Sequence, residues 1–384
     1  IFAGYLKLAK LMRFVSKSVV IGFVNALAIL ILMAQLPEFV NVTWHVYALV
    51  ALGLVIIYLF PLIPKLGKIL PSPLVCIIAI TILAMSLGFD VRTVGDMGAL
   101  PDTLPIFLLP DIPLNEETLK IILTYSFALA ADGLLESMMT ATIVDEMTDT
   151  PSDKYQECKG QGIANIASGF MGGMAGCAMI GQSMINVKSG GFSRLSTFSA
   201  GIFLLILVVF ISDWLKVIPM AALVAVMIMV SISTFEWRSL TSFKANPKSS
   251  NAVMIVTVIV VVATHNLALG VLSGVLLSAL FLAIKLEDDI QVKSTFEGSA
   301  RLYDLSGQIF FSSSEKFMQS FDFNEKISNV IIDLTHSHIW DVTSVAMLDS
   351  VVSKFRKNGI NVTVRGLNEA SSIMIDKYGT HARI

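Results

Sequence analysis

Asp132, Glu136 and Thr140 are the side chains in this sequence best spaced to do chemistry together, and they lie inside the apolar run FALAADGLLESMMTATIV. Positions i, i+4 and i+8 share one face of a helix. Carboxylate and hydroxyl oxygens suit a hard cation such as sodium. A carboxyl that takes up a proton on burial can also carry one, so proton and sodium coupling are both open. Charge inside lipid-spanning sequence is costly and by default marks a solute or ion pathway. The structural alternative makes Glu136 a satisfied hydrogen-bonding group between helices and places Asp132 beside a water-filled vestibule.

A polar loop separates this helix from a glycine-broken apolar run, GQGIANIASGFMGGMAGCAMIGQSMINVKSGG. Transporters set binding sites in short, Gly-interrupted segments, where half-helix ends and unwound backbone face the solute. A half-helix starting near Ala178 would aim free N–H groups and its positive dipole end at an anion in mid-membrane. Met179, Ile180 and Gly181 bring no polar side chains, so recognition there falls to main-chain donors. Gln182 and Ser183 are the nearest side-chain donors. Ordinary small-residue packing between helices is the competing reading. The region 127–191 thus reads as the substrate site of a secondary transporter.

The elements that must position these groups are membrane helices. Hydrophobic residues make up 55% of the chain and charged ones 15%, with mean hydropathy +0.76. Soluble domains carry about 25% charged residues, so this balance calls for transmembrane spans. Apolar runs predict spans at 18–36, 46–63, 71–88 and 118–144, a broken region at 160–187, and further spans at 195–212, 217–234, 251–265 and 267–284. One set of connecting segments collects Lys7, Lys10, Arg13 and Lys17, then Lys65, Lys68, Lys154 and Lys159, then Lys188, Arg194, Arg238, Lys244 and Lys248. The opposite set holds only Arg92, Lys120 and Lys216. The basic side is cytoplasmic, and the C-terminus with it. Alternation then requires two crossings, at 160–176 and 177–187, at least one of them short. Pro101, Pro105, Pro110 and Pro113 make 89–117 an extracytoplasmic loop, with Asn115 placed to cap the next helix.

Other chemistries lack their signatures. A net charge of −2 gives no polyanion-binding surface, which argues against nucleic acid. Cys76, Cys158 and Cys177 are odd in number and scattered, so they form neither a disulfide framework nor a metal site. There is no Walker loop, GxSxG or HExxH, so the chain does not read as an enzyme or an ATP-driven pump. It opens on IFAGYLKLAK rather than Met, as the continuation of a longer protein would.

Composition turns polar at Lys285, dividing a transmembrane domain at 1–285 from a soluble α/β module at 286–384. Strands are predicted at 300–305, 308–311, 330–334 and 361–365, and helices at 314–322 and 342–358, with Gly359 as the stop. His336 and His338 stand after a strand without a third ligand, so zinc is not expected.

Three membrane stretches, LLESMMTATIVDEMTDT, the glycine-broken run and IPMAALVAVMIMVSISTF, resemble the SulP sulfate-permease family. NVIIDLTHSHIWDVTSVAMLDSVVSKFRKNGINVTVRGL resembles that family's cytoplasmic STAS domain, shared with anti-sigma-factor antagonists. The resemblance implies a polytopic α-helical membrane protein of fourteen segments in two inverted sevens, followed by STAS, with this chain starting at the end of the fourth segment. It implies a homodimer in the bacterial inner (plasma) membrane and a cytoplasmic partner for STAS. Segments eight and ten correspond to 127–144 and about 178–187. In sodium-coupled bicarbonate members, an acid and a hydroxyl four positions later bind the cation; these match Glu136 and Thr140, with Asp132 one turn before. The anion-holding start of segment ten matches Ala178, Met179 and Ile180, followed by Gly181 and Ser183. Those members carry Asp in place of Glu136 and Thr in place of Ile180. That departure favours a proton over sodium at Glu136. Sulfate is the family's default substrate, with bicarbonate or a dicarboxylate next. An anion channel, or a membrane-anchored STAS regulator, is the alternative from another class. In the antagonists a phosphorylated Ser follows the Asp matching Asp341; Val342 stands there, leaving Thr343 or Ser344 as substitutes.

Overall fold

The computed structural model describes the chain except for residues 8, 11–13, 65, 66, 68, 69, 99–102, 114, 289 and 381–384, and except for the side chains at 286–288, 314 and 315. Arg13, Lys65, Lys68 and Pro101, used above for orientation and loop assignment, lie outside the described residues. The chain divides into two compact units, Ile1–Val275 and Leu276–Ile384.

The first unit is helical. Its apolar runs form α1 (Lys17–Gln35), α2 (Trp44–Leu59), α3 (Ser72–Leu87), α4 (Glu116–Thr148), α5 (Lys154–Phe170), α6 (Ile180–Lys188), α7 (Arg194–Phe210), α8 (Met220–Thr234) and α9 (Lys248–Thr264), then the start of α10 (Leu267–Asp288). Five of the described helices are long and apolar enough to cross a membrane, and α3, α7 and α9 are shorter apolar helices. The 33 residues of α4 extend about 50 Å against a hydrocarbon layer of about 30 Å. Asn115 caps α4 as predicted, accepting the Thr118 N–H at 2.7 Å.

Two groups of helices pack in this unit. In the first, α1 lies against α8 and α9, and α2 against α3 and α8. Lipid offers no hydrophobic drive between helices, so small residues and side-chain hydrogen bonds must hold them. A Cβ on Gly22 of α1 would sit 2.8 Å from the Met254 carbonyl and 2.9 Å from Thr257 Cβ of α9, so only glycine allows this approach. Buried Asn25 donates to Ser239 Oγ at 3.0 Å and accepts the Glu236 N–H at 2.8 Å, while Ser231 donates to the Ala28 carbonyl. The second group is α4 with α5 and α6.

The polar loop between α4 and α5 is held by its own side chains. Asp145 pairs with Lys154 and accepts from Ser152, and Asp153 caps α5 through the N–H groups of Tyr155 and Gln156. This cap starts α5 at Lys154, ahead of the apolar run expected from 160. The proline segment before α4 is anchored as well: the Leu108 N–H reaches the Phe170 carbonyl at 2.7 Å, and Phe107 stacks on Phe170.

The second unit carries a four-stranded sheet in the order β1 (Gln291–Glu297), β2 (Ala300–Ile309), β3 (Asn329–Ile339), β4 (Asn361–Arg365). The β1–β2 pair is antiparallel and the others parallel. Helices α11 (Ser314–Gln319), α12 (Val342–Lys357) and α13 (Glu369–Tyr378) accompany it. Tyr303, Leu305, Ile332, Leu334, Leu348, Val352 and Phe355 form its core.

Four expectations for this unit are corrected. The strands predicted at 300–305 and 308–311 are one strand with a register shift between Asp304 and Ser306. Strand β3 runs to Ile339, so His336 and His338 lie within it, opposite Ser306 and Gln308, rather than after it. Helix α11 stops at Gln319. Edge strand β1 and helix α13 add elements that their mixed polar sequences hid. Across the sheet, Arg365 reaches Asp333 at 2.7 Å and Glu297 at 3.0 Å. Burial pushes the Asp333 carboxyl up, but hydrogen bonds from Thr335 and Arg365 outweigh it and hold the group below the usual carboxylate range.

Replacing Gly22 by Leu forces α1 from α9. Overpacking of this kind typically removes about 1–3 kcal/mol, so the melting temperature of the detergent-solubilised protein is expected to fall, with Gly22→Ala falling less.

Candidate functional site

The glycine-broken run is not a continuous helix. It unwinds after Phe170, runs without regular structure from Gly173, and resumes as α6 at Ile180, two residues after the start expected at Ala178. The nine residues of α6 rise only about 13 Å, so the unwound chain must supply the rest of that crossing.

Unwound peptide groups inside a membrane need partners, and here side chains supply them. On α4, Thr140 Oγ1 donates to the Ala178 carbonyl at 2.8 Å, and Ser137 Oγ accepts the Ala178 N–H at 3.1 Å. Both hydroxyls are buried. One turn earlier, Glu136 Oε2 accepts the Cys177 thiol proton at 3.1 Å. Gly133 faces Cys177, whose Cβ would be in ordinary van der Waals contact, at 3.5 Å, with a Cβ placed there. From α5, the Asn165 carboxamide takes both main-chain groups of Gly176.

This pairing leaves a defined remainder. Among the described residues, the N–H groups of Met179, Ile180, Gly181 and Gln182 have no protein acceptor, whereas the Ser183 N–H already bonds the Met179 carbonyl at 3.2 Å. Four free donors at the start of a helix make an anion-binding end. Ala178 differs from its neighbours because its N–H and carbonyl are both taken by α4, so it shapes the site rather than offering donors. Ser183 is half-buried with its hydroxyl in no hydrogen bond among the described residues, and Gln182 donates to the Met179 sulfur at 3.4 Å.

The structure therefore brings Glu136, Thr140 and residues 177–181 together. Asp132 lies on the same face of α4 but is engaged elsewhere: its Oδ1 accepts the Ala268 N–H at 2.7 Å, in the first turn of α10. Ser137, Asn165 and Cys177 are functional neighbours that the sequence reading passed over. Ser137 stands beside Glu136 and gave no separate signal, Cys177 read only as a scattered cysteine, and Asn165 is a polar residue between apolar ones. In the second unit, Asp341 caps α12 by accepting from Ser344 N and Oγ, and it also takes the Phe311 N–H. Ser344 is fully buried and also bonds the Ile309 carbonyl, so it has no room for a phosphate; Thr343 is exposed.

Residues 1–57 and 41–259 match the Sulfate permease family, and residues 291–384 match the STAS domain. The Bacillus subtilis protein named "Putative sulfate transporter YbaR" is 52% identical over 375 residues, covering 98% of this chain and 78% of that protein. The "Bicarbonate transporter BicA" of Synechocystis is 24% identical over 419 residues, covering 97% and 73%. The solved structure of the murine Solute Carrier 26 family member A9 anion transporter, in its inward-facing state, superposes with a TM-score of 0.77. It covers 95% of this chain and 67% of that one at 15% identity, a likeness of fold alone. An α-helical membrane unit with a broken helix, a sheet-and-helix module after it and a relative identical at half its positions lead to one conclusion: the chain belongs to the sulfate permease family of membrane anion transporters and carries a C-terminal STAS domain.

Proposed function

We propose that this chain is a secondary active carrier of sulfate or a similar small oxyanion, with Glu136 taking up the coupling proton or sodium ion. The observation behind this reading is the set of four unpaired main-chain donors at 179–182, two residues after the thiol that bonds Glu136. Peptide donors aimed at an oxyanion supply charge-assisted hydrogen bonds without a fixed cation. Among the described residues no lysine or arginine bonds Glu136 or residues 177–182, so an anion arriving near the Glu136 carboxylate brings like charges together. A proton or sodium ion on Glu136 relieves that repulsion and thereby couples the two fluxes. Thr140 spends its proton on Ala178 and keeps lone pairs for a cation. Asp132 serves the same face as a second carboxylate, already paired with a peptide donor of α10. With Ile180 in place of a hydroxyl, recognition rests on main-chain groups, which suits sulfate over a substrate needing a side-chain partner. Bicarbonate is the second reading, favoured by the similarity to a protein named as a bicarbonate transporter.

The carrier works as a homodimer in the plasma membrane, with the STAS domain on the cytoplasmic side as a docking module for a protein partner. A fluorescent protein fused to the C-terminus is expected to fluoresce, and a fused periplasmic phosphatase to be inactive; the reverse result would overturn this orientation.

In proteoliposomes, saturable sulfate uptake should be driven by an inward proton or sodium gradient, with bicarbonate and fumarate tested beside it. Glu136→Gln is expected to lower uptake at least tenfold and to abolish its dependence on the driving cation. Undiminished uptake with the same pH and sodium response would remove the mechanism. Thr140→Val is expected to raise the half-saturating anion concentration several-fold, with Thr140→Ser close to the native value.

A further inference from the structure

Of the side chains that hold the unwound main chain, Ser137 and Thr140 come from α4 and Ser168, through one 3.4 Å bond to the Met174 carbonyl, from α5; Asn165, also of α5, makes the fuller grip. Its carboxamide is fully used. Oδ1 accepts the Gly176 N–H at 2.7 Å, and Nδ2 donates to the Gly176 carbonyl at 2.9 Å and to the Gln161 carbonyl of its own helix, also at 2.9 Å. A side chain that takes both the donor and the acceptor of one residue reproduces what a neighbouring β-strand would give. It fixes the direction of the chain at Gly176, which glycine's freedom would otherwise leave loose. Two residues later, Ser137 and Thr140 do the same for Ala178 from the other side. The chain entering α6 is thus pinned from two helices at alternate residues, and the free N–H groups follow directly.

We propose that Asn165 is the positioning residue of the anion site: by gripping the main chain of Gly176 it sets where the donors of Ile180, Gly181 and Gln182 point. It does not touch the anion. This rests on the anion-binding reading of α6, and main-chain donors have no side-chain torsion to recover a lost alignment. A shift of the segment therefore weakens all of them together.

The test uses the full chain in two arms. The first reads the segment without any transport: the rate at which a neutral maleimide labels Cys177, followed by peptide mass spectrometry so that buried Cys76 and Cys158 are scored apart. Cys177 follows Gly176 and is held by Glu136. Asn165→Ala is expected to speed its labelling at least tenfold, and Gln161→Ala, which leaves the Gln161 carbonyl in place, to change it less than twofold. The second arm is sulfate uptake in proteoliposomes. Asn165→Ala is expected to raise the half-saturating concentration at least tenfold with the maximal rate within about twofold. Asn165→Asp supplies the rescue. As a carboxylate it repels the Gly176 carbonyl, but once protonated it offers the same donor and acceptor as the carboxamide. Its half-saturating concentration, taken as a ratio to the native protein at each pH, should fall as the pH is lowered. Unchanged Cys177 labelling in Asn165→Ala overturns the grip on Gly176 whether or not sulfate is carried. Faster labelling with an unchanged half-saturating concentration, or with only a lower maximal rate and melting temperature, overturns the positioning role. A native protein with no saturable anion uptake sinks the carrier reading instead, and the positioning of an anion site with it, while labelling still decides the grip.

Discussion

Peptide groups freed from a helix inside hydrocarbon must be satisfied by the protein or by what it carries, and the site follows from that constraint. Between Phe170 and Ile180 the chain gives up helical bonding. Gly176 and Ala178 recover theirs from Asn165, Ser137 and Thr140, while the N–H groups opening α6 recover nothing within the described protein. Each recovered bond is worth only about 0.5–1.5 kcal/mol net, yet leaving such a group buried and unpaired costs about 1–3 kcal/mol. The arrangement therefore discriminates sharply between groups that are held and groups that are left for a ligand.

The same constraint explains why α4 carries so many polar residues on one side. Gly133, Glu136, Ser137 and Thr140 recur at three- and four-residue spacing and meet the unwound chain, while Asp132 reaches the first turn of α10. Helix α4 thus touches both the broken run and the start of a helix distant in sequence. In the other helix group the contacts are of a different kind. Gly22 against α9, and Asn25 and Ser231 with buried partners, hold helices together.

Much of this was legible in the sequence, because the signals were physical and local. Long apolar runs gave the helices, Asn115 gave a cap, and the glycines of the broken run gave the unwound segment. Glu136 and Thr140 stood out as polar groups where lipid penalises them. What stayed hidden depended on pairing across space. Nothing local in IANIAS says that Asn165 will meet Gly176, and nothing in ESMMT ranks Ser137 beside Thr140. In the STAS domain β1 was invisible because QVKSTFE is a solvent-facing edge strand with little apolar alternation, and β2 was divided because its register shift sits beside Gly307. The cap by Asp153 and the pair of Asp145 with Lys154 need the folded turn to exist, so the polar loop showed neither in sequence.

The two acids of α4 show why spacing alone does not assign a role. Asp132 and Glu136 differ by one turn and share a face, yet their partners are unlike. Asp132 accepts a peptide N–H at 2.7 Å, in the first turn of α10. Glu136 accepts from a thiol, a weak donor that does little to stabilise a carboxylate. Among the described residues, Glu136 has no peptide donor of the kind that Asp132 holds. On the carrier reading proposed above, an anion entering with a cation would answer the donors of α6 and the carboxylate of Glu136 together.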